Sequence, residues 1–166
     1  STLFPYTTLF RSIIDWSGSS RLDRVAGSLA FASYARAVGD LYPGIVGLHT
    51  DHCPKKFLDC WIHPLLEIEA EQVKRGELPV FQSHMWDGSA ESLDDNIEIA
   101  VDMLKRSRAA HTVLEIEIGA VGGEEDGIKG EENASLYTTA DDAYRAIEAL
   151  GLGENGRYIK IGRAHV

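Results

Sequence analysis

The chain has 166 residues, 44% of them hydrophobic and 25% charged, which is ordinary for a soluble globular domain with a core of its own. A formal net charge of −10 argues against a general nucleic-acid binder, which needs a basic face, and no apolar run is long enough to cross a membrane. The two cysteines, Cys53 and Cys60, make neither a disulfide framework nor the paired spacing of a structural zinc knuckle, so a reducing cytoplasm is the expected compartment.

Both ends read as foreign to the rest of the chain. "LFPYTTLFRS" (3–12) and "IGRAHV" (161–166) resemble translated sequencing-adapter read-through, so residues 1–12 and 161–166 are expected to be non-native flanks. Residues 13–160 are then expected to be a fragment of one larger domain. Leu22, Val25, Ala26, Leu29 and Ala37 recur at helical spacing, and Pro43-Gly44 ends that helix. "IVGLHTD" (45–51) suits a buried strand. Pro54 can open a helix, and Pro64 is expected to break it and start a second. Leu58, Trp61, Ile62, Leu65, Leu66 and Val73 form the apolar stripe there. "PVFQSHMWD" (79–87) reads as the next strand. Ser92 with Asp95 resembles a capping box, leading into a helix with Leu93, Ile97, Ala100, Val101 and Leu104. "TVLEIEIG" (112–119) is the third strand, a glycine-rich loop follows, and Thr139 with Asp142 caps a last helix that Gly151 stops.

Strands separated by helices imply parallel pairing with right-handed crossovers. The pattern fits an open doubly wound sheet or a section of a (β/α)8 barrel. The polar residues bear on the choice. The strands end in Asp51-His52, in Asp87 and in Glu117, at intervals of 36 and 30 residues, about one βα unit each. In a parallel sheet all three ends reach the same rim, which is where (β/α)8 enzymes keep their sites. Alternation puts Leu114, Ile116 and Ile118 on one face, toward the helices, and Val113, Glu115 and Glu117 on the other.

Buried carboxylates need compensation by protonation, a basic partner or a metal. His52, Asp87 and Glu117 form a divalent-metal set whose imidazole and carboxylates suit zinc. Gly122-Gly123 gives the next segment backbone freedom, so a mobile loop could carry Glu124 or Glu125 over the site as a proton-transfer group. His49 and His84 read as satisfied core residues, His63 and His111 as surface or boundary positions, and Lys55 and Lys56 as structural or solvated.

"LHTDHCPKK" (48–56), "FQSHMWD" (81–87), "LEIEIGAVGGEEDG" (114–127) and "SLYT" (135–138) closely resemble class II fructose-bisphosphate aldolase. The resemblance runs from about Leu22 to Tyr158 and is nearer the longer subgroup of that family. It implies a zinc-dependent (β/α)8 barrel, of which this chain would hold about three parallel strands with their helices. It implies reversible cleavage of fructose 1,6-bisphosphate to dihydroxyacetone phosphate and glyceraldehyde 3-phosphate by a homodimeric parent protein. By the same resemblance Asp51 would be the proton donor at the C4 hydroxyl and His52 a catalytic-zinc ligand. Asp87 and Glu117 would hold metal at a neighbouring position, and Glu125 would be the loop acid-base, with Glu124 its neighbour. Zinc as a Lewis acid would make a Schiff-base lysine unnecessary.

The family's two later zinc histidines and its phosphate-binding segments fall downstream of Lys160. Three strands cannot close an eight-stranded barrel. The isolated chain is therefore expected to be inactive, to bind zinc weakly and to be prone to aggregate. The competing readings are a tagatose-bisphosphate aldolase and a non-catalytic α/β module whose acidic rim binds a divalent cation.

Overall fold

The computed structural model describes residues 23–119, 123–125, 128–130, 138–152 and 157–161. Helix α1 (Asp23–Gly39) turns Val25, Ser28 and Ala32 inward, a three- and four-residue spacing that makes one buried face. Ser28 Oγ on that face accepts a hydrogen bond from Trp61 Nε1 at 2.8 Å.

The strand expected over 45–51 is shorter: β1 is His49–Thr50 alone. It forms the edge of the sheet, and its pairing with β2 (Ser83–Asp87) begins at His49↔Ser83. Ile45 and Val46 lie before that pairing and are exposed.

Pro64 does not break the helix that Pro54 opens. Helix α2 (Lys55–Phe57) passes through a π-helical turn, Leu58–Ile62, directly into α3 (His63–Lys74). A proline in a helix interior lacks an N–H and crowds the carbonyl four residues back. The wider turn before it, in which the His63 N–H bonds the Leu58 carbonyl, absorbs that conflict. Pro64 thus marks where the π turn returns to α-helix.

Helix α4 (Leu93–Ala109) starts as expected at Ser92, whose Oγ accepts from Asp95 N at 3.2 Å. Strand β3 (Val113–Glu117) pairs in parallel with β2, from Ser83↔Val113 to Asp87↔Glu117. The segment read as a loop contains a short hairpin, β4 (Gly123–Glu125) antiparallel to β5 (Ile128–Gly130). The Asp126-Gly127 pair between them is a two-residue hairpin signal that the run of acids obscured. Helix α5 (Ala140–Leu150) carries the expected reciprocal capping box of Thr139 and Asp142, and Gly151, at φ 83°, follows it. A fourth parallel strand, β6 (Tyr158–Ile161), pairs with β3 where the sequence pattern predicts none. It is four residues long and reaches Ile161, the first residue of the segment set aside as a flank, so its pattern was cut short.

The sheet order is β1-β2-β3-β6, which is the chain order without reversal. With crossovers of one hand, such an order places the helices that connect its strands on one face, whereas a doubly wound sheet must reverse direction at a switch point. Accordingly α3 packs on α4, and α4 on α5. Between helices and sheet lie the fully buried Ile62, Leu65, Leu66, Trp86, Met103, Leu114 and Ile116. The opposite face carries His49, Ser83, Glu115, Asp87 and Glu117. Among the described residues, no helix is long and apolar enough to cross a membrane.

Candidate metal centre

Three neighbouring strands deliver three donors to one place. After β1 the chain continues alongside the end of β2: Pro54 bridges to Asp87, and Asp87 N donates to Cys53 O at 3.1 Å. That contact holds the segment carrying His52 against the end of β2. The β2–β3 register then sets Asp87 directly beside Glu117. His52 Nδ1 is 3.5 Å from Asp87 Oδ2 and 3.3 Å from Glu117 Oε2. One ligand atom from each of the three residues falls within 4.8 Å of the others.

The donor set fits a divalent cation. Both contacts are longer than the ~2.7–2.9 Å of a charge-assisted hydrogen bond. One imidazole and two carboxylates, with a ligand atom of each inside 4.8 Å, are donors that suit such an ion. Glu117 is buried, at 8% exposure, and its neighbour Asp87 is half-buried, so two adjacent carboxylates share a place with little solvent. Like charges so placed repel unless a cation stands with them. Their supports are local. Asp87 Oδ1 accepts from Ser89 N at 3.0 Å and from Ser89 Oγ at 2.6 Å, which turns Oδ2 toward His52. Cys53, next to His52 in sequence, is no thiolate donor. It is fully buried, and burial, then Cys60 and Asp87, push its thiol up to about 12.

The other candidates divide. Asp51 projects from the rim with its side chain 83% exposed, and its Oδ1 is 3.8 Å from His52 Nε2. The side chains of Glu124 and Glu125 lie outside the described residues; only their backbone pairing in the hairpin is set. His84 is the satisfied core histidine expected: fully buried, with Nε2 2.8 Å from Glu69 Oε2 and Nδ1 2.9 Å from Thr50 Oγ1. His49 is not a core residue. It points to the face away from the helices, where Nδ1 is 2.8 Å from Ser83 Oγ and Nε2 is 3.4 Å from Glu115. The strand signal could not say which face its odd positions would show. His111 is exposed at the turn into β3, and His63 is half-buried beside Asp59. Lys55 pairs with Glu91 at 3.2 Å, a structural use.

Two supporting residues escaped the sequence reading, Ser89 and Asn96. Asn96 is buried and bonds the backbone of both acidic strand ends. An asparagine one turn into a helix gives no signal of such a role.

The sequence profile of "Fructose-bisphosphate aldolase class-II" matches residues 12–159, nearly the whole chain. The chain belongs to the class-II fructose-bisphosphate aldolase family. It is 56% identical over 142 residues to a fructose-bisphosphate aldolase of Streptomyces coelicolor, covering 86% of this chain and 41% of that protein. It is 52% identical over 143 residues to a fructose-bisphosphate aldolase of Mycobacterium tuberculosis, covering 86% of this chain and 42% of the relative. The crystal structure of fructose-bisphosphate aldolase from Campylobacter jejuni superposes with a TM-score of 0.68 at 32% identity, covering 87% of this chain and 40% of that one. The chain therefore spans about two fifths of these aldolases. Its four unreversed parallel strands are part of the aldolase (β/α)8 barrel, one strand more than expected. The family is metal-dependent, and the His52, Asp87 and Glu117 cluster is a possible metal site in this member.

Proposed function

We propose that this chain supplies the first metal ligands and the proton-transfer groups of an enzyme that reversibly cleaves fructose 1,6-bisphosphate to dihydroxyacetone phosphate and glyceraldehyde 3-phosphate. The observation that carries it is the convergence of His52, Asp87 and Glu117 within 4.8 Å at the carboxyl ends of three adjacent strands, in a chain of this family. His52 would hold the zinc, and Asp87 and Glu117 would hold metal beside it. When bound, such an ion supplies Lewis-acid stabilisation of negative charge developing on a carbonyl oxygen.

The protein's own groups do the rest. Asp51 is exposed at the rim and close to His52, so its carboxylate can reach a substrate hydroxyl, and it moves the C4 hydroxyl proton. Ser89 fixes one oxygen of Asp87, so the other stays directed to the centre. Glu125, or its neighbour Glu124, is carried on the hairpin after β3 and acts as acid-base toward dihydroxyacetone phosphate. The complete enzyme works as a cytoplasmic homodimer. The 166-residue chain alone turns over no substrate, because four strands do not close a barrel and because, of the three protein ligands that a catalytic zinc takes, this chain would supply only His52.

Titration of the chain with Co2+, read by its visible d–d absorption, tests the centre. Saturable binding is expected, weakened at least tenfold in His52→Ala and Asp87→Ala and unchanged in Lys55→Ala. Equal binding by all four proteins, or none by the unaltered chain, would refute the assignment.

A further inference from the structure

Asp87 and Glu117 are paired side by side in the β2–β3 ladder although their charges repel, and Asn96 adds a side-chain tie across the same two strand ends. It lies in the first turn of α4, 2% exposed, and its own N–H donates to Ser92 O at 2.8 Å. Its Nδ2 donates to Gly88 O at 3.0 Å and to Glu117 O at 2.8 Å. Its Oδ1 accepts from Trp86 Nε1 at 2.8 Å. One carboxamide therefore grips the residue before Asp87, the residue after it, and Glu117 itself. Space is reserved for this: a Cβ on Gly88 would lie 2.1 Å from Asn96 Cγ.

We propose that Asn96 is a positioning residue of the metal centre. It fixes the ends of β2 and β3 at the spacing at which both carboxylates face His52, and it acts through the backbone of the ligands rather than by touching the ion. The inference rests on the metal-centre reading above and deepens it. A plain helix-to-sheet clasp would contribute to stability only. A positioning residue also sets metal affinity, and groups that orient ligands typically change it ~10–100-fold.

Asn96→Asp keeps size and shape, and keeps an oxygen for the Trp86 indole. It turns the double donor into an oxygen facing two carbonyl oxygens. In Co2+ titrations of the whole chain, Asn96→Asp is expected to bind at least about tenfold more weakly, with an altered d–d band. Leu104→Ala, a buried truncation on the same helix, serves as the stability control. It is expected to lower the thermal midpoint while leaving the Co2+ affinity and spectrum as they are. A folded Asn96→Asp with the affinity and spectrum of the unaltered chain overturns the proposal alone. Absence of saturable Co2+ binding by the unaltered chain overturns it together with the metal-centre reading. Should Asn96→Asp fail to fold, Trp86→Phe removes one donor to the same carboxamide and is expected to weaken Co2+ in the same direction. Unchanged affinity there overturns the proposal as well.

Discussion

Glu69 and His84 offer a sharp test of how the site's scaffold is held. Both are fully buried between α3 and the sheet. Glu69 Oε2 is 2.8 Å from His84 Nε2, and Glu69 Oε1 accepts from Phe81 N at 2.8 Å. A carboxylate only accepts, so His84 Nε2 carries the hydrogen, while Nδ1 meets Thr50 Oγ1 at 2.9 Å. One side chain thus ties a helix to β2 and, through His84, to β1. Glu69→Ala leaves a buried imidazole and a buried backbone N–H without their acceptor. Each of these two stranded N–H donors costs about 1–3 kcal/mol. The expected loss of about 2–6 kcal/mol is a large share of the ~5–15 kcal/mol that holds a typical domain. Glu69→Gln keeps an oxygen for Phe81 and an amide for His84, which changes tautomer to accept it. Its cost should be about 1–2 kcal/mol, or roughly 2–8 °C in melting midpoint for a chain of this size. Urea unfolding followed by tryptophan fluorescence measures both variants. Equal losses from Gln and Ala, or a loss under about 1 kcal/mol from Ala, would refute the assignment of this pair as a paired and satisfied buried link.

Further outcomes follow from other residues. In the complete enzyme, Asp51→Ala should retain metal while losing ~10²–10⁴-fold in kcat, the usual worth of a proton-transfer group, and metal analysis beside steady-state kinetics separates the two. Thr139→Ala removes the capping oxygen from the Asp142 N–H, and thermal melts should report about 1 kcal/mol. Cys53 gives a pH signature. Its folded thiol is pushed up to about 12 from 9.0, first by burial. The unfolded chain therefore releases this proton from about pH 9 while the native one keeps it, so the contribution is complete below pH 9 and is lost as pH rises toward 12. Urea midpoints at pH 8 and pH 10.5 should fall further for the unaltered chain than for Cys53→Ala, and parallel falls would contradict this.

Much of the architecture was legible in the sequence because its signals are local. The period-two alternation of Leu114, Ile116 and Ile118 against Glu115 and Glu117 needs no partner to be seen. The caps at Ser92 and Thr139 are also short-range chemistry, and they lie where expected. The one-per-βα-unit spacing of His52, Asp87 and Glu117 implied a shared rim, since parallel pairing leaves little choice of end.

What the sequence determined by itself was the set of elements and the kinds of side chain at their ends, because periodicity, caps and breakers act within a few residues. Only the tertiary structure decided the rest. Sheet order without reversal put the crossover helices α3, α4 and α5 on one side, and Ile45 and Val46 fell outside β1 because pairing with β2 begins only at His49. Pro64 survived inside a helix because a π turn preceded it, and His49 left the core for the open face. Asn96 acquired its role only when a helix's first turn met the ends of two strands, a contact made across 8 residues to Gly88 and 21 to Glu117. Distances of that kind are set by packing, and no local pattern in the chain encodes them.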